Sequence, residues 1–457
     1  MQNISAGGTV GYLTRLFQAF TEFRPSMKTD DNTNIVFHFP KTKCRPSYVD
    51  DISPEQFLGE KKCYTEIQTT LKDNETFNRK TWRVQKYSRI YRELPVVNIF
   101  NTNDNACSIH INGSNNFFPI WNQLRLLGKS SSTLKILTTH NPIAPHLEEI
   151  EILKSKKKWT PSELNHICTY LELRDKIAFL LSDAIFCPYE HSLDSYHNWS
   201  AWDDIIKHKP IYYCLTGAPK RKQTKTKIET RQQLKIPVTD TVIIYIGRKE
   251  KVKGFHIFAE AAKHILSENR HIWFVAIGNG SIPSGISDEH FLEIGFTNEI
   301  GNFIATADAC VIANRDSYFD LGMIEVLSLG CLLIASDVGG NKWLKGKSMG
   351  TTQFPPENSD SLVQKIYQVS RLSESKKSEL SQDNIRLYNE YLTPFHFQQN
   401  YQLTIDKIRK DLGKDLFIKK INEPPLTSSI ISKNHETINN FIRIAKSIPL
   451  SFFHKNT

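Results

Sequence analysis

From Asn98 into the 360s the sequence alternates short β-branched or apolar runs with helical patterns, and this alternation constrains the fold more than any other feature. Strands separated by helices cannot pair through tight hairpins. They run parallel instead, and each crossover helix covers a face of the sheet. The strand-like runs fall into two sets. The first comprises Ile35 to Phe39, Cys107 to Asn112, Leu134 to Thr139, Ala184 to Pro188 and Ile211 to Leu215. The second comprises Val242 to Ile246, Ile272 to Ile277, Phe291 to Ile294, Ala309 to Ala313 and Leu332 to Ser336. Between them Gly217 to Lys227, GAPKRKQTKTK, is polar, basic and free of apolar periodicity, so it marks a boundary. The expected division is a first α/β domain over 1–216, a linker over 217–227, a second α/β domain over 228–395 and a helical extension over 396–457. In that extension a helix is expected around Glu436 to Ser447, after the break at Pro424-Pro425. The stretch from Pro46 to Leu94 carries no readable motif.

Composition removes other classes. With 457 residues, 39% hydrophobic and 11% aromatic, the chain can bury cores in two or three domains, unlike a disordered or collagen-like sequence. The longest apolar stretches, Ile177 to Cys187 and Val242 to Ile246, fall well short of the roughly 20 residues that cross a bilayer. Met1 to Phe20 lacks a basic region followed by an apolar core and a cleavage site, so a cytoplasmic protein is expected. Eight dispersed cysteines without C-x-x-C spacing point to a reducing compartment and to no metal site.

The formal charge of +10 admits three partners: nucleic acid, an anionic membrane surface, or a small anion such as a nucleotide. No base-reading motif occurs and the aromatic residues lie in core-like patterns, which argues against nucleic acid. The runs Lys154 to Lys158 and Lys220 to Lys227 read as solvated surface, and the first also suits docking on an anionic leaflet, at the inner face of the membrane.

Four loops at successive strand ends carry the chemistry. Tyr245 to Gly254, YIGRKEKVKG, ends a strand and opens a helix, the position at which open α/β sheets bind anions. There Arg248 offers a bidentate fork and Lys253 a point charge. Ala276 to Gly280, AIGNG, is a tight turn that lacks the third glycine of a dinucleotide fingerprint. Asn314 to Gly330, NRDSYFDLGMIEVLSLG, places Glu325 in an apolar helix, where its carboxylate could accept from a hydroxyl pair. Ser336 to Gly340 closes another strand with a glycine pair. Near the start, Gly7-Gly8 precede an amphipathic helix, and His110 and His140 end two successive strands.

These pieces resemble the family 4 glycosyltransferases, which carry G-R-x-x-x-x-K-G, G-x-G, E-x-F-G-L followed by L-E, and S-D-x-G-G in this order. The counterparts are Gly247-Arg248 with Lys253-Gly254, Gly278-Asn279-Gly280, Phe319-Asp320-Leu321 with Glu325, and Ser336 to Gly340; Gly7-Gly8, His110 and His140 are weaker matches. The resemblance implies a GT-B fold of two Rossmann-like domains with parallel sheets facing a central cleft. It also implies metal-independent, retaining transfer of a hexosyl-type sugar from a nucleotide-sugar donor, UDP-linked foremost, to a glycan or lipid-linked acceptor in bacterial-type surface polysaccharide or glycoconjugate assembly, without a cofactor.

Under that resemblance Arg248 and Lys253 hold the donor diphosphate, Glu325 the ribose hydroxyls, and amides of Asp320, Leu321 and Gly322 the distal phosphate. Gly7, Gly8, Gly278, Ser317 and Phe319 complete the donor site, His140 lies beside the transferred sugar, and His110 faces the acceptor. Two positions depart from the family pattern. Ser317 stands where the first glutamate is expected, and Asp320 replaces a glycine. The first departure keeps a non-catalytic sugar-nucleotide-binding subunit open as an alternative, beside a GT-B nucleotide-sugar epimerase.

Overall fold

The structure, a computed structural model, describes residues 8–23 and 107–421, apart from 118–119, 122–123, 125–127, 156–158 and 208. Gly7, the expected strand Ile35 to Phe39, the 46–94 stretch, Lys156 to Lys158 and the helix expected around Glu436 to Ser447 lie outside the described residues.

Helix α1 (Gly8–Phe23) precedes a first sheet of β1 (Ser108–Asn112), β2 (Leu134–Thr138), β3 (Ala184–Cys187) and β4 (Ile211–Tyr213). Helices α2 (Pro145–Ser155), α3 (Pro161–Leu181) and α4 (Trp202–Ile206) lie between its strands. The four strands are parallel, in the order β1-β2-β3-β4.

The second sheet begins after α5 (Lys227–Gln233). It runs β5 (Thr241–Ile246), α6 (Phe255–Glu268), β6 (Ile272–Ile277), β7 (Phe291–Gly295), α7 (Ile300–Thr306), β8 (Ala309–Ile312), α8 (Leu321–Ser328), β9 (Leu332–Ser336) and β10 (Thr351–Phe354). Helices α9 (Ser359–Ser370), α10 (Glu374–Tyr391) and α11 (Pro394–Ile421) follow. All six strands are parallel in the order β10-β9-β8-β5-β6-β7. This is the doubly wound order, and its direction of winding reverses between β5 and β8. The loops leaving those two strands part to opposite faces and open a crevice at their carboxyl ends.

Both faces of each sheet are covered, which is why the strands read as nearly unbroken apolar runs. In the second sheet Val242, Ile244 and Val275 pack with α8 and α10, while Ile243, Tyr245 and Phe274 pack with α6 and α9. In the first, Ile111, Leu137 and Ile185 meet Phe179, Tyr196 and Trp202 on one face. Leu134, Ile136 and Phe186 meet Tyr12 and Leu16 of α1 and Phe397, Tyr401 and Ile405 of α11 on the other. Helix α11 thus follows the second sheet in the chain and packs on the first. Cys187, Cys214, Cys310 and Cys331 are buried, and burial pushes their thiols up, as expected of cysteines serving as small hydrophobes; Cys107 is exposed. Among the described residues no helix is long and apolar enough to cross a membrane.

The linker is less solvated than its composition suggests. The backbone amides of Thr224 and Lys225 donate to Asn302 Oδ1 at 2.7 and 3.0 Å, and Lys227 approaches Asp308 at 3.4 Å. Strand β10 has no counterpart in the apolar pattern. It lies at the edge of the sheet, and three of its four residues are only half-buried.

Candidate active site

Strand β5 delivers the first loop. The buried Tyr245 hydroxyl lies 2.8 Å from the Arg248 carbonyl and 3.2 Å from that of Lys253, tying both ends of the loop to the sheet. Gly254 then takes φ 65° and starts α6; a Cβ there would come within 1.7 Å of the Ala313 carbonyl oxygen, at the end of β8. Gly278, in the loop after β6, has φ 126°, and a Cβ would meet the Gly247 carbonyl at 2.1 Å. Glycine at both places lets three strand ends crowd around one point.

Arg248 is half-exposed. Its guanidinium pairs with Glu250 at 2.9 Å and reaches Glu148 of α2, on the first sheet's side, at 3.6 Å. Glu148 also accepts from Asn141 at 2.6 Å, next to His140. Lys253 Nζ lies 2.6 Å from Asp320 Oδ2, and Asn314 Nδ2 donates to the same oxygen at 2.8 Å. Asp320 Oδ1 accepts from the Gly322 amide at 2.9 Å and caps α8. Burial opposes ionisation of Asp320, but the Lys253 ammonium and the Asn314 and Gly322 donors hold its carboxyl below the usual value.

Glu325 is reached from two sides. Arg15 of α1 and Arg221 of the linker each donate to its Oε1 at 2.6 Å. Neither arginine emerges from reading motifs, because they stand 310 and 104 residues from Glu325 in the chain and no local pattern links them. Arg221 gives an address to charge that reads in the sequence as solvated.

The loop after β8 reaches into the other side. Tyr318 belongs to the first sheet's core, its hydroxyl donating to the Phe186 carbonyl at 3.2 Å, and its ring meets that of His140 edge-on at 5.9 Å. Ser195 donates to Asp316, and Lys342 pairs with Asp194 at 2.8 Å. The crevice is therefore closed by contacts from both sheets.

Several expected residues have other employment. The Ser317 hydroxyl is buried and donates to Asn341 Oδ1 at 2.8 Å, while its carbonyl accepts from the Gly340 amide at 2.8 Å. The Ser336 to Gly340 segment thus props the Ser317 backbone. Phe319 is a core side chain stacked edge-on against Trp343 at 5.9 Å, with no polar group to give a donor. Leu321 packs on the same core, and the Gly322 amide is taken by Asp320. His110 faces α11, its ring nitrogens 2.8 Å from Tyr401 Oη and 2.7 Å from Thr138 Oγ1. The His110 side chain points to the α11 face of the sheet, where both nitrogens are satisfied. Gly8 begins α1.

His140 adopts φ 62°, its ring 4.4 Å from that of Tyr12, with Nε2 2.7 Å from Asn112 Oδ1. An amide oxygen only accepts, so Nε2 carries the proton and Nδ1 is left as an acceptor. Burial, reinforced by the neighbouring His110, lowers the His140 pKa to about 3, and burial alone lowers that of His110 to about 3. Both rings fold neutral. The unfolded chain, with histidines near their ordinary value, takes up two more protons between about pH 4 and 6, so stability is full above about pH 6.5 and falls as pH drops. Urea titrations across that window should give a slope of about 2.7 kcal/mol per pH unit from this pair, halved in His110→Gln. An unchanged slope in the variant would contradict a buried neutral His110.

With this geometry in place, the known proteins can be compared. Residues 240–371 match the family described as Glycosyl transferases group 1. The Escherichia coli UDP-Gal:alpha-D-GlcNAc-diphosphoundecaprenol alpha-1,3-galactosyltransferase is 25% identical over 190 residues, 39% of this chain and 46% of that protein. The chain spans less than half the length of the curated relatives it matches. Among solved structures, sucrose-phosphate synthase from Thermosynechococcus elongatus superposes with a TM-score of 0.54 at 15% identity, covering 90% of this chain and 94% of that one. Trehalose-6-phosphate synthase OtsA superposes with a TM-score of 0.51 at 12% identity, covering 73% and 78%. The two parallel sheets have the GT-B architecture, and residues 240–371, which lie within its second domain, are similar to the group 1 glycosyltransferases.

Proposed function

We propose that this chain transfers a sugar from a nucleoside-diphosphate donor to a hydroxyl of a glycan or lipid-linked acceptor, with retention at the anomeric carbon. The observation that carries the reading is the placement of Arg248 and Lys253 on the loop that leaves the carboxyl end of β5 and passes the end of β8, where the doubly wound sheet opens its crevice.

In this reading Arg248 and Lys253 take the diphosphate and stabilise the charge that grows on it as the glycosidic bond breaks. Glu325, oriented by Arg15 and Arg221, accepts from the ribose hydroxyls. Neutral His140 borders the sugar as a hydrogen-bonding group, and Tyr318 beside it helps exclude water. A UDP-sugar is the first donor to try. The E. coli relative is named for a galactosyl donor and a lipid diphosphate acceptor, and a lipid-linked acceptor would bring this protein to the inner membrane face.

A second reading is favoured by one observation. With Ser317 bonded to Asn341, no carboxylate stands at the family's first glutamate position, as would suit a subunit that binds a sugar nucleotide without transferring it. One panel separates the cases. UDP-, GDP- and dTDP-sugars are added in turn, and a donor at 100 times its Kd should stabilise the fold by about 2.7 kcal/mol. Release of nucleoside diphosphate with an acceptor mixture indicates transfer, and stabilisation without release indicates the subunit. No stabilisation by any nucleotide or nucleotide sugar would refute both.

A further inference from the structure

Asp320 is out of place at an anion site. Its carboxylate is held by an ammonium (Lys253 Nζ, 2.6 Å), a side-chain amide (Asn314 Nδ2, 2.8 Å) and a backbone amide of the first turn of α8 (Gly322 N, 2.9 Å). That donor set is one that would suit a phosphate oxygen. The family pattern has glycine at this position, which leaves both the amide and the lysine unclaimed. Here the chain supplies the anion itself.

We propose that Asp320 is an internal competitor for the donor's distal phosphate, so that seating a diphosphate requires this carboxylate to leave Lys253 and the Gly322 amide. The proposal rests on the nucleotide-sugar reading above. Two anions cannot share one ammonium and one amide without repulsion, and among the described residues Asp320 is the carboxylate paired with Lys253. The consequence is selective. A nucleoside monophosphate, lacking the distal phosphate, meets no competition, whereas a diphosphate is weakened, which also speeds release of the diphosphate product. Discrimination between di- and monophosphate is thereby compressed in this chain.

The test uses the full chain and isothermal titration with UDP, GDP and dTDP and the matching monophosphates. Asp320→Asn keeps an oxygen for the Gly322 amide and removes the charge; Asp320→Ser keeps a capping hydroxyl and serves if the first variant folds poorly. Either should lower the Kd of the preferred nucleoside diphosphate by about tenfold or more, with the monophosphate within about twofold. In a Lys253→Met background the gain should shrink to about twofold, because the lysine that Asp320 occupies is no longer there to be released. If Asp320 is only a helix cap, diphosphate affinity stays unchanged or weakens in the folded variants, which overturns the inference while diphosphate binding by the parent chain leaves the nucleotide-sugar reading standing. If neither parent nor variant binds any nucleotide, both fall.

Discussion

A chain carrying Arg248→Ala together with Lys253→Met should lose about a thousandfold in kcat/KM with its preferred nucleotide sugar, measured as nucleoside diphosphate released. The magnitude follows from two charged hydrogen-bonding groups on one diphosphate, each worth about 1.5–3 kcal/mol, less what they already spend on protein carboxylates. Arg248 is paired with Glu250 and Glu148, and Lys253 with Asp320, so both must exchange partners to hold a donor diphosphate. Arg248 is the more exposed and the less tightly held, and its single substitution should account for the larger part. Because the positive charge acts on the leaving diphosphate, the loss should appear in kcat as well as KM. A loss below about tenfold would mean that the diphosphate is bound elsewhere, and the site would have to be redrawn.

The second large effect concerns the backbone that carries those side chains. Gly254→Val should destabilise the protein by about 4 kcal/mol, roughly 10 °C in thermal midpoint. Its φ of 65° already disfavours a side chain, and a Cβ would lie 1.7 Å from the Ala313 carbonyl oxygen. Relief would need the β5 loop to move away from the end of β8, the separation on which the crevice depends. Gly346 supplies the control. It has nearly the same φ, 70°, but a Cβ there meets nothing within 4 Å, so Gly346→Val should cost only the conformational part, about 1–2 kcal/mol. Equal losses at the two glycines would show that steric crowding between the strand ends contributes nothing.

Legibility tracks the range of each interaction. The runs of β2, β3, β5, β6, β8 and β9 are readable because a strand buried on both faces is apolar along nearly its whole length, and glycines after β5, β6 and β9 mark where the chain turns. Strand β10, TTQF, escaped because an edge strand with half-buried residues needs no apolar run. The pattern of Gly247-Arg248 and Lys253-Gly254 places both cations in one loop from the sequence alone, since only the four residues 249–252 separate them. The surroundings of His110 are illegible for a related reason. Its position on β1 is readable, but the partner that satisfies it, Tyr401, arrives from a helix 291 residues later.

The order of the elements, their parallel pairing and the positions of the glycine turns at the strand ends are properties of local periodicity and of glycine stereochemistry, so the sequence alone determined them. What occupies each charge was decided only in three dimensions. Glu325 is held by Arg15 and Arg221, Ser317 is spent on Asn341, and Asp320 takes the ammonium that its sequence motif would leave open. Electrostatic partners are chosen by distance through space, and most of these distances were set by packing the β8 loop into the first sheet's core and by folding the linker against α7, neither of which any short stretch of residues encodes.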